Sequence, residues 1–177
     1  IASPLIRMLQ EGELDMAIIP LTGNSMLPLE SMILQTEELL LAIPKSHAKD
    51  LSLQNAEGSF PSISIPDLAK EPMIFSQKKT TIRKLENQCF SAFHIIPQIV
   101  AEINSHPASL VMVEQGLGST FVPLSCATTS EEIVYAHIIP TVQWYVTIVF
   151  RKGFTMRQSE KYFVSLIQQL FSGPPYF

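Results

Sequence analysis

The residues of this chain that could do chemistry are few and scattered. A hydrolase needs a nucleophile, a base and a group that orients the base. Ser76 follows an apolar run, yet no G-x-S-x-G elbow surrounds it. The four histidines, His47, His94, His106 and His137, are widely separated and lack a metal-ligand spacing such as H-x-x-x-H. Gly116-Leu117-Gly118 follows a helical pattern instead of opening one, so a dinucleotide loop fails on context. Cys89 and Cys126 form no C-x-x-C and read as buried or half-buried thiols of a reducing compartment. No catalytic residue, metal or cofactor is expected.

Binding is better supported than catalysis. In open α/β sheets, ligands sit beyond the carboxyl ends of strands. After Met16–Ile19 come Pro20, Leu21 and Thr22. After Pro72–Phe75 come Ser76 and Gln77, then Thr80 and Thr81 at a helix start. After Pro97–Ile103 come Asn104 and Ser105. Helix starts expose unpaired N–H groups and the positive dipole end, which suits a carboxylate or phosphate. Lys78, Lys79 and Arg83 add positive charge nearby. Ordinary capping by the threonines and a solvated lysine face would leave the same pattern.

The elements that must position these residues are α/β in kind. Glu37–Pro44 and Tyr145–Phe150 are short continuous apolar runs, the pattern of strands covered on both faces, as in a parallel sheet. Between them, Pro72–Pro123 reads strand, helix, strand, helix, strand. The helix over Thr80–Phe93 has Ile82, Leu85, Cys89, Phe90 and Phe93 on one face, and Ser105 caps a second helix to about Gln115. Ser3-Pro4 opens a first helix to about Gln10, and Lys45–Pro61 reads as surface loop. Thr155-x-x-Gln158 resembles a capping box before a last helix that buries Tyr162, Phe163, Leu166, Ile167 and Leu170. The working picture is two lobes joined by two crossing strands, residues 1–42 with 148–177 and residues 43–147, with a cleft between them. Periodicity alone leaves a single α/β domain open.

The totals narrow the partners. Hydrophobic residues are 46% and charged residues 16% of the 177, a globular balance. No apolar run reaches the roughly 18 residues of a membrane span. The net charge of −4 argues against a nucleic-acid footprint within this segment. The chain does not begin with Met and shows no leader, so a fragment is expected.

Four stretches in order resemble one family. Gly12-Glu13-Leu14-Asp15-Met16-Ala17-Ile18-Ile19 is similar to the helix-end-to-strand signature of the effector-binding domain of LysR-type transcriptional regulators. Glu38–Pro44 with Lys45-Ser46-His47 resembles that family's crossing strand and the turn after it. Pro97–Glu102 resembles a second-lobe strand, and Val113–Gly118 through Phe121-Val122-Pro123 the helix, glycine turn and strand that follow. Ala48 stands where the family often has proline, Ser119-Thr120 replaces a commonly apolar pair, and Asn55–Ser62 reads as an expanded loop. The resemblance implies a two-lobed, periplasmic-binding-protein-like α/β domain that senses a small, anionic effector. The ligand contacts it implies are Ser76, Thr80 and Thr81 with Pro20, Thr22 and Ser3, to which the strand-end reading adds Gln77 and Ser105. It implies a cytoplasmic homo-dimer or tetramer, with the Thr80–Phe93 helix in the interface and DNA bound only through an upstream domain. The family's first strand, helix and second strand do not precede Ser3 here, so an incomplete first lobe is expected. An extracytoplasmic solute-binding protein of a transport system is the alternative, because it shares the architecture.

Overall fold

The computed structural model describes residues 2–22, 29–55 and 60–171, with the backbone alone at residues 2 and 3. The chain divides into two units, Ile1–Glu37 with Gln143–Phe177 and Glu38–Val142. Gly23, Asn24 and Pro28, residues 56–59 of the expanded loop, and the tail from Ser172 lie outside the described residues.

The second unit is built on a mixed sheet. Its strands are the later part of β2 (Glu30–Pro44), then β3 (Ser62–Ser64), β4 (Pro72–Ser76), β5 (Gln98–Ile103), β6 (Ser119–Pro123) and β7 (Ile133–Ile139). They lie in the order β5-β4-β6-β2-β7-β3. Strand β4 runs parallel to β5 and β6, as expected for strands joined by helical crossovers. The sequence placed the run ending at Pro44 among parallel neighbours. Instead β2 is antiparallel to both β6 and β7. Burial on both faces produces the same continuous apolar run whatever the neighbours' direction. All six residues from Leu39 to Pro44 are buried.

Alternation along β2 divides this core. Leu40 and Ala42 pack with Ile74, Val122, Leu110 and Val113, the last two from α4 (His106–Glu114). An aromatic cluster joins Phe75 of β4, Phe121 of β6 and Phe90 of α3 (Thr81–Ser91), with ring centroids 5.7 to 6.4 Å apart. Helix α3 buries Ile82, Leu85 and Phe90 as its periodicity requires, and it also buries Arg83 and Glu86. The stretch expected to be loop after Pro44 begins with a short helix, α2 (Lys45–Ala48), and a 3₁₀ turn over Ile65–Leu68 precedes β4. His47 of α2 shares the buried Glu71 carboxylate, at 2.9 Å, with the Ser119 hydroxyl, at 2.6 Å.

In the first unit, β1 (Met16–Leu21) pairs antiparallel with β8 (Gln143–Phe150), from Met16 opposite Phe150 to Leu21 opposite Tyr145. Helix α1 (Ala2–Glu11) lays Leu9 on Ile19 and Val149. It starts at Ala2, so Ser3 lies inside its first turn rather than ahead of it. Helix α5 (Gln158–Phe171) differs from expectation at both its start and its face. The backbone N–H of Arg157 donates to the Glu160 carboxylate at 2.6 Å, so the reciprocal acid comes two residues after the expected Gln158. Only Val164 is buried, while Tyr162, Phe163, Leu166 and Leu170 are 44 to 65% exposed. Periodicity reports that a helix has an apolar face, not that something covers it.

Gly118 joins α4 to β6 at a φ of 151°, and a Cβ there would lie 2.4 Å from the Pro72 carbonyl oxygen. Gly118→Ala is expected to destabilise the chain by about 3 kcal/mol, from backbone strain and collision with β4. Equilibrium denaturation measures it; a change below about 0.5 kcal/mol would contradict this role.

Candidate functional site

Two strand ends, the middle of a third strand and two helix starts converge on one pocket of the second unit. Phe75 and Ser76 end β4, Ile103 ends β5 and is followed by Asn104 and Ser105, and Thr120 and Phe121 belong to β6. Thr80 and Ile82 come from the start of α3, and His106 and Ser109 from the start of α4. The pocket holds about 70 Å³, room for a small polar group rather than a drug-sized molecule.

Each helix start is built locally. Thr80 is the cap of α3: its Oγ1 accepts from the Arg83 N–H at 3.1 Å and donates to the Gln77 carbonyl at 2.9 Å. The chain reaches that position through Lys79, whose φ of 71° is unusual for a residue with a side chain. Ser105 caps α4, accepting from the Ala108 N–H at 3.4 Å. With Arg83 and Ala108 capped and Pro107 lacking an N–H, the N–H groups of Thr81 and Ile82 in α3 and of His106 in α4 have no partner within their helix and are available to a ligand. These donors and the positive dipole ends favour an anion.

Beneath the pocket, two charged side chains of α3 hold Ser76 by all of its polar groups. The Ser76 backbone N–H donates to both Glu86 carboxylate oxygens, at 3.1 and 3.0 Å. Its hydroxyl donates to Glu86 Oε1 at 2.9 Å. Its carbonyl accepts from Arg83 Nη1 at 2.8 Å, and Arg83 also pairs with Glu102 at 2.9 Å and lies over the Phe75 ring. Glu86 is fully buried. Burial pushes its carboxyl up to about 7, against the opposing pull of the Ser76 hydrogen bonds and of Arg83. Glu102 adds to the rise. Burial also lowers the His106 imidazole below its ordinary value, and raises the Cys89 thiol to about 11 with help from Glu86, which leaves it a poor nucleophile at neutral pH.

Of the residues named from sequence, Ser76, Thr80 and Ser105 line this pocket. Gln77 turns the chain after β4, its N–H donating to the Ile103 carbonyl, and Thr81 is the first residue of α3. Pro20 is paired opposite Val146 in the first unit, and Thr22 follows that strand. The side chain of Ser3 lies outside the described residues. Lys78 and Lys79 are exposed, and the Arg83 guanidinium is turned inward onto Glu102. Sequence reasoning missed His106, Ser109 and Thr120 as pocket residues. The two hydroxyls are buried and bonded to backbone carbonyls, at His106 and Ile74 respectively. A polar pair inside an apolar strand, Ser119-Thr120, was the available signal for the last.

Among the described residues, no cluster of three or more His, Cys, Asp or Glu side chains could hold a metal ion. His47 and His137 are each paired with a carboxylate, Glu71 and Glu38. No described helix is long and apolar enough to cross a membrane.

A mixed α/β chain of two units, with a small polar pocket at parallel strand ends, has the form of a ligand-binding domain. The family model described as "LysR substrate binding domain" matches residues 2–172, and the chain belongs to that family. Solved structures agree on the fold. The Synechocystis PCC6803 CcmR regulatory domain in complex with 2-PG is 15% identical with a TM-score of 0.74, covering 97% of this chain and 80% of that one. The effector binding domain of QuiR in complex with shikimate is 20% identical with a TM-score of 0.70, covering 94% and 76%. Full-length CbnR complexed with its target DNA is 17% identical with a TM-score of 0.67, covering 95% and 56%. The chain spans only 51 to 57% of the length of several regulators of this fold. Comparison with curated proteins finds no match.

The raised Glu86 carboxyl ties stability to pH. Its proton is held more tightly in the folded chain, so its contribution is fully present below about 4.5 and lost as pH rises through about 7. Unfolding free energy is expected to fall across that window by on the order of 3 kcal/mol from this group. Glu86→Gln should remove that part of the slope in urea titrations at pH 5 and pH 8. An unchanged slope in the variant would contradict the assignment.

Proposed function

We propose that this chain is the effector-sensing part of a bacterial LysR-type transcriptional regulator, and that its effector is a small anion, a carboxylate or phosphate. The observation that carries the reading is the pocket in which the starts of α3 and α4 meet the ends of β4 and β5 beside the middle of β6. Ser76, Thr80 and Ser105 contact the effector there, with Gln77 and Thr81 as further contacts from the same unit. Shikimate, bound by the QuiR domain, is a carboxylate, which supports an acidic effector.

The mechanism is a shift of population. A ligand moves a conformational equilibrium only by its difference in affinity for the two states. Ser76 sits where a contact made in the pocket is passed at once to Glu86 and Arg83, and so to α3. A homo-dimer or tetramer of the full-length cytoplasmic protein, with α3 in its interface, relays the change to a DNA-binding domain outside this sequence. The DNA-bound structure of CbnR, a relative in fold, supports that assignment. The match to a substrate-binding domain supports a chain that binds its ligand rather than turning it over.

A thermal-shift screen against small carboxylates, amino acids, sugar phosphates and nucleobases tests this. A ligand at about 100 times its Kd adds about 2.7 kcal/mol to stability. A carboxylate or phosphate is expected to score, and Ser76→Ala to weaken it about tenfold, the value of one hydrogen bond to a charged partner. A hit unaffected by Ser76→Ala and Thr80→Ala, or a response to uncharged nucleobases alone, would contradict the reading.

A further inference from the structure

The pocket poses a chemical problem for an anion. Four of its hydroxyls already spend their proton on the protein. Thr80 donates to the Gln77 carbonyl, Ser109 to the His106 carbonyl, Thr120 to the Ile74 carbonyl and Ser76 to the Glu86 carboxylate. A hydroxyl that donates inward offers only lone pairs outward, and lone pairs repel an anion. Three of the four acceptors are carbonyls, which cannot reverse the bond. Glu86 is different, because a carboxylic acid can donate.

We propose that Glu86 is a positioning residue that sets the polarity of Ser76, so that an anion enters the pocket together with a proton taken up by Glu86. This rests on the proposed anion-binding reading of the same pocket. With Glu86 ionised, its Oε1 accepts the Ser76 hydroxyl and Ser76 faces the pocket as an acceptor. With Glu86 protonated, its O–H donates to Ser76 Oγ over the same 2.9 Å contact, and the serine proton turns to the ligand. The Ser76 backbone N–H remains on the other oxygen in both states. No bond between heavy atoms changes, and the one added proton comes from solvent.

The surroundings permit the exchange. Glu86 is fully buried, and the cation on its own helix, Arg83, is already engaged by Glu102 of β5 and by the Ser76 carbonyl. Cys89, also on α3, stays a neutral thiol at neutral pH. The Glu102 carboxylate and the charged guanidinium bear on the same carboxyl with opposite sign. An unoccupied Glu86 titrates near neutrality, so a modest preference of the ligand for one form decides its state.

The test uses sulfate, which accepts hydrogen bonds and keeps its charge from pH 5.5 to 8.5. Binding is followed by amide chemical shifts of Ser76, Thr81, Ile82 and His106 at constant ionic strength, and the Glu86 carboxyl is followed by its carbon shift. The expected result is an affinity that falls up to tenfold per pH unit above about 7, with a matching rise in the Glu86 midpoint when sulfate is present. Glu86→Gln should bind sulfate with no slope above pH 7. Burial lowers the His106 imidazole below its ordinary value, so its protonation belongs to the acid end of this range. Binding with the same slope in Glu86→Gln, or a Glu86 midpoint indifferent to sulfate, overturns the coupling and leaves the anion pocket standing. The carboxyl titration uses the wild-type chain, so the second result does not depend on the variant folding. No shift at these amides at any pH overturns both.

Discussion

Everything proposed for the second unit turns on how the chain leaves β4. At that point the backbone emerges from a strand whose middle three residues are buried, and its last residue, Ser76, has an N–H, a hydroxyl and a carbonyl that need partners. Glu86 and Arg83 supply all of them from one helix face. Two buried charges are costly unless paired and hydrogen-bonded. Here the guanidinium is paired with Glu102, whereas the carboxyl is held mainly by hydrogen bonds, and its raised affinity for a proton is the residue of that imbalance. The same contacts fix the start of α3, whose cap and free N–H groups face the pocket.

That arrangement stands on an apolar frame that carries no function of its own. Leu39–Pro44 fills the middle of the sheet, and the Phe75, Phe90 and Phe121 rings lock α3 onto β4 and β6. Aromatic clusters of this kind bring packing well beyond a single aliphatic contact. The glycine turn at Gly118 lets β6 lie against Pro72, which sets where the ends of β4 and β6 meet. A pocket at strand ends is a consequence of that register, with Met73 opposite Ser119 and Ile74 opposite Thr120.

The frame was largely legible in the sequence. The stripe of Ile82, Leu85 and Phe90 located α3, and Ser105 announced α4 as its cap. Continuous apolar runs located β2 and β8, though not the direction of their neighbours, because burial leaves no mark of direction. The polar machinery was harder to read. Arg83 and Glu86 look like the solvated side of an amphipathic helix, and only the facing Ser76 and Glu102, distant in sequence, turn them inward. Ser119 and Thr120 were visible as oddities in an apolar strand, and their partners, Glu71 and the Ile74 carbonyl, explain them. The apolar side of α5 was read correctly as a stripe and wrongly as buried, since a stripe does not name its partner.

The central claim is that a small anion is held where the ends of β4 and β5 meet the starts of α3 and α4. It is tested most directly by a crystal structure of the chain grown with the carboxylate that stabilises it most. The account predicts the carboxylate about 3 Å from Ser76 Oγ and from the first N–H groups of α3 or α4. A carboxylate seated elsewhere, with Ser76 untouched, would contradict it.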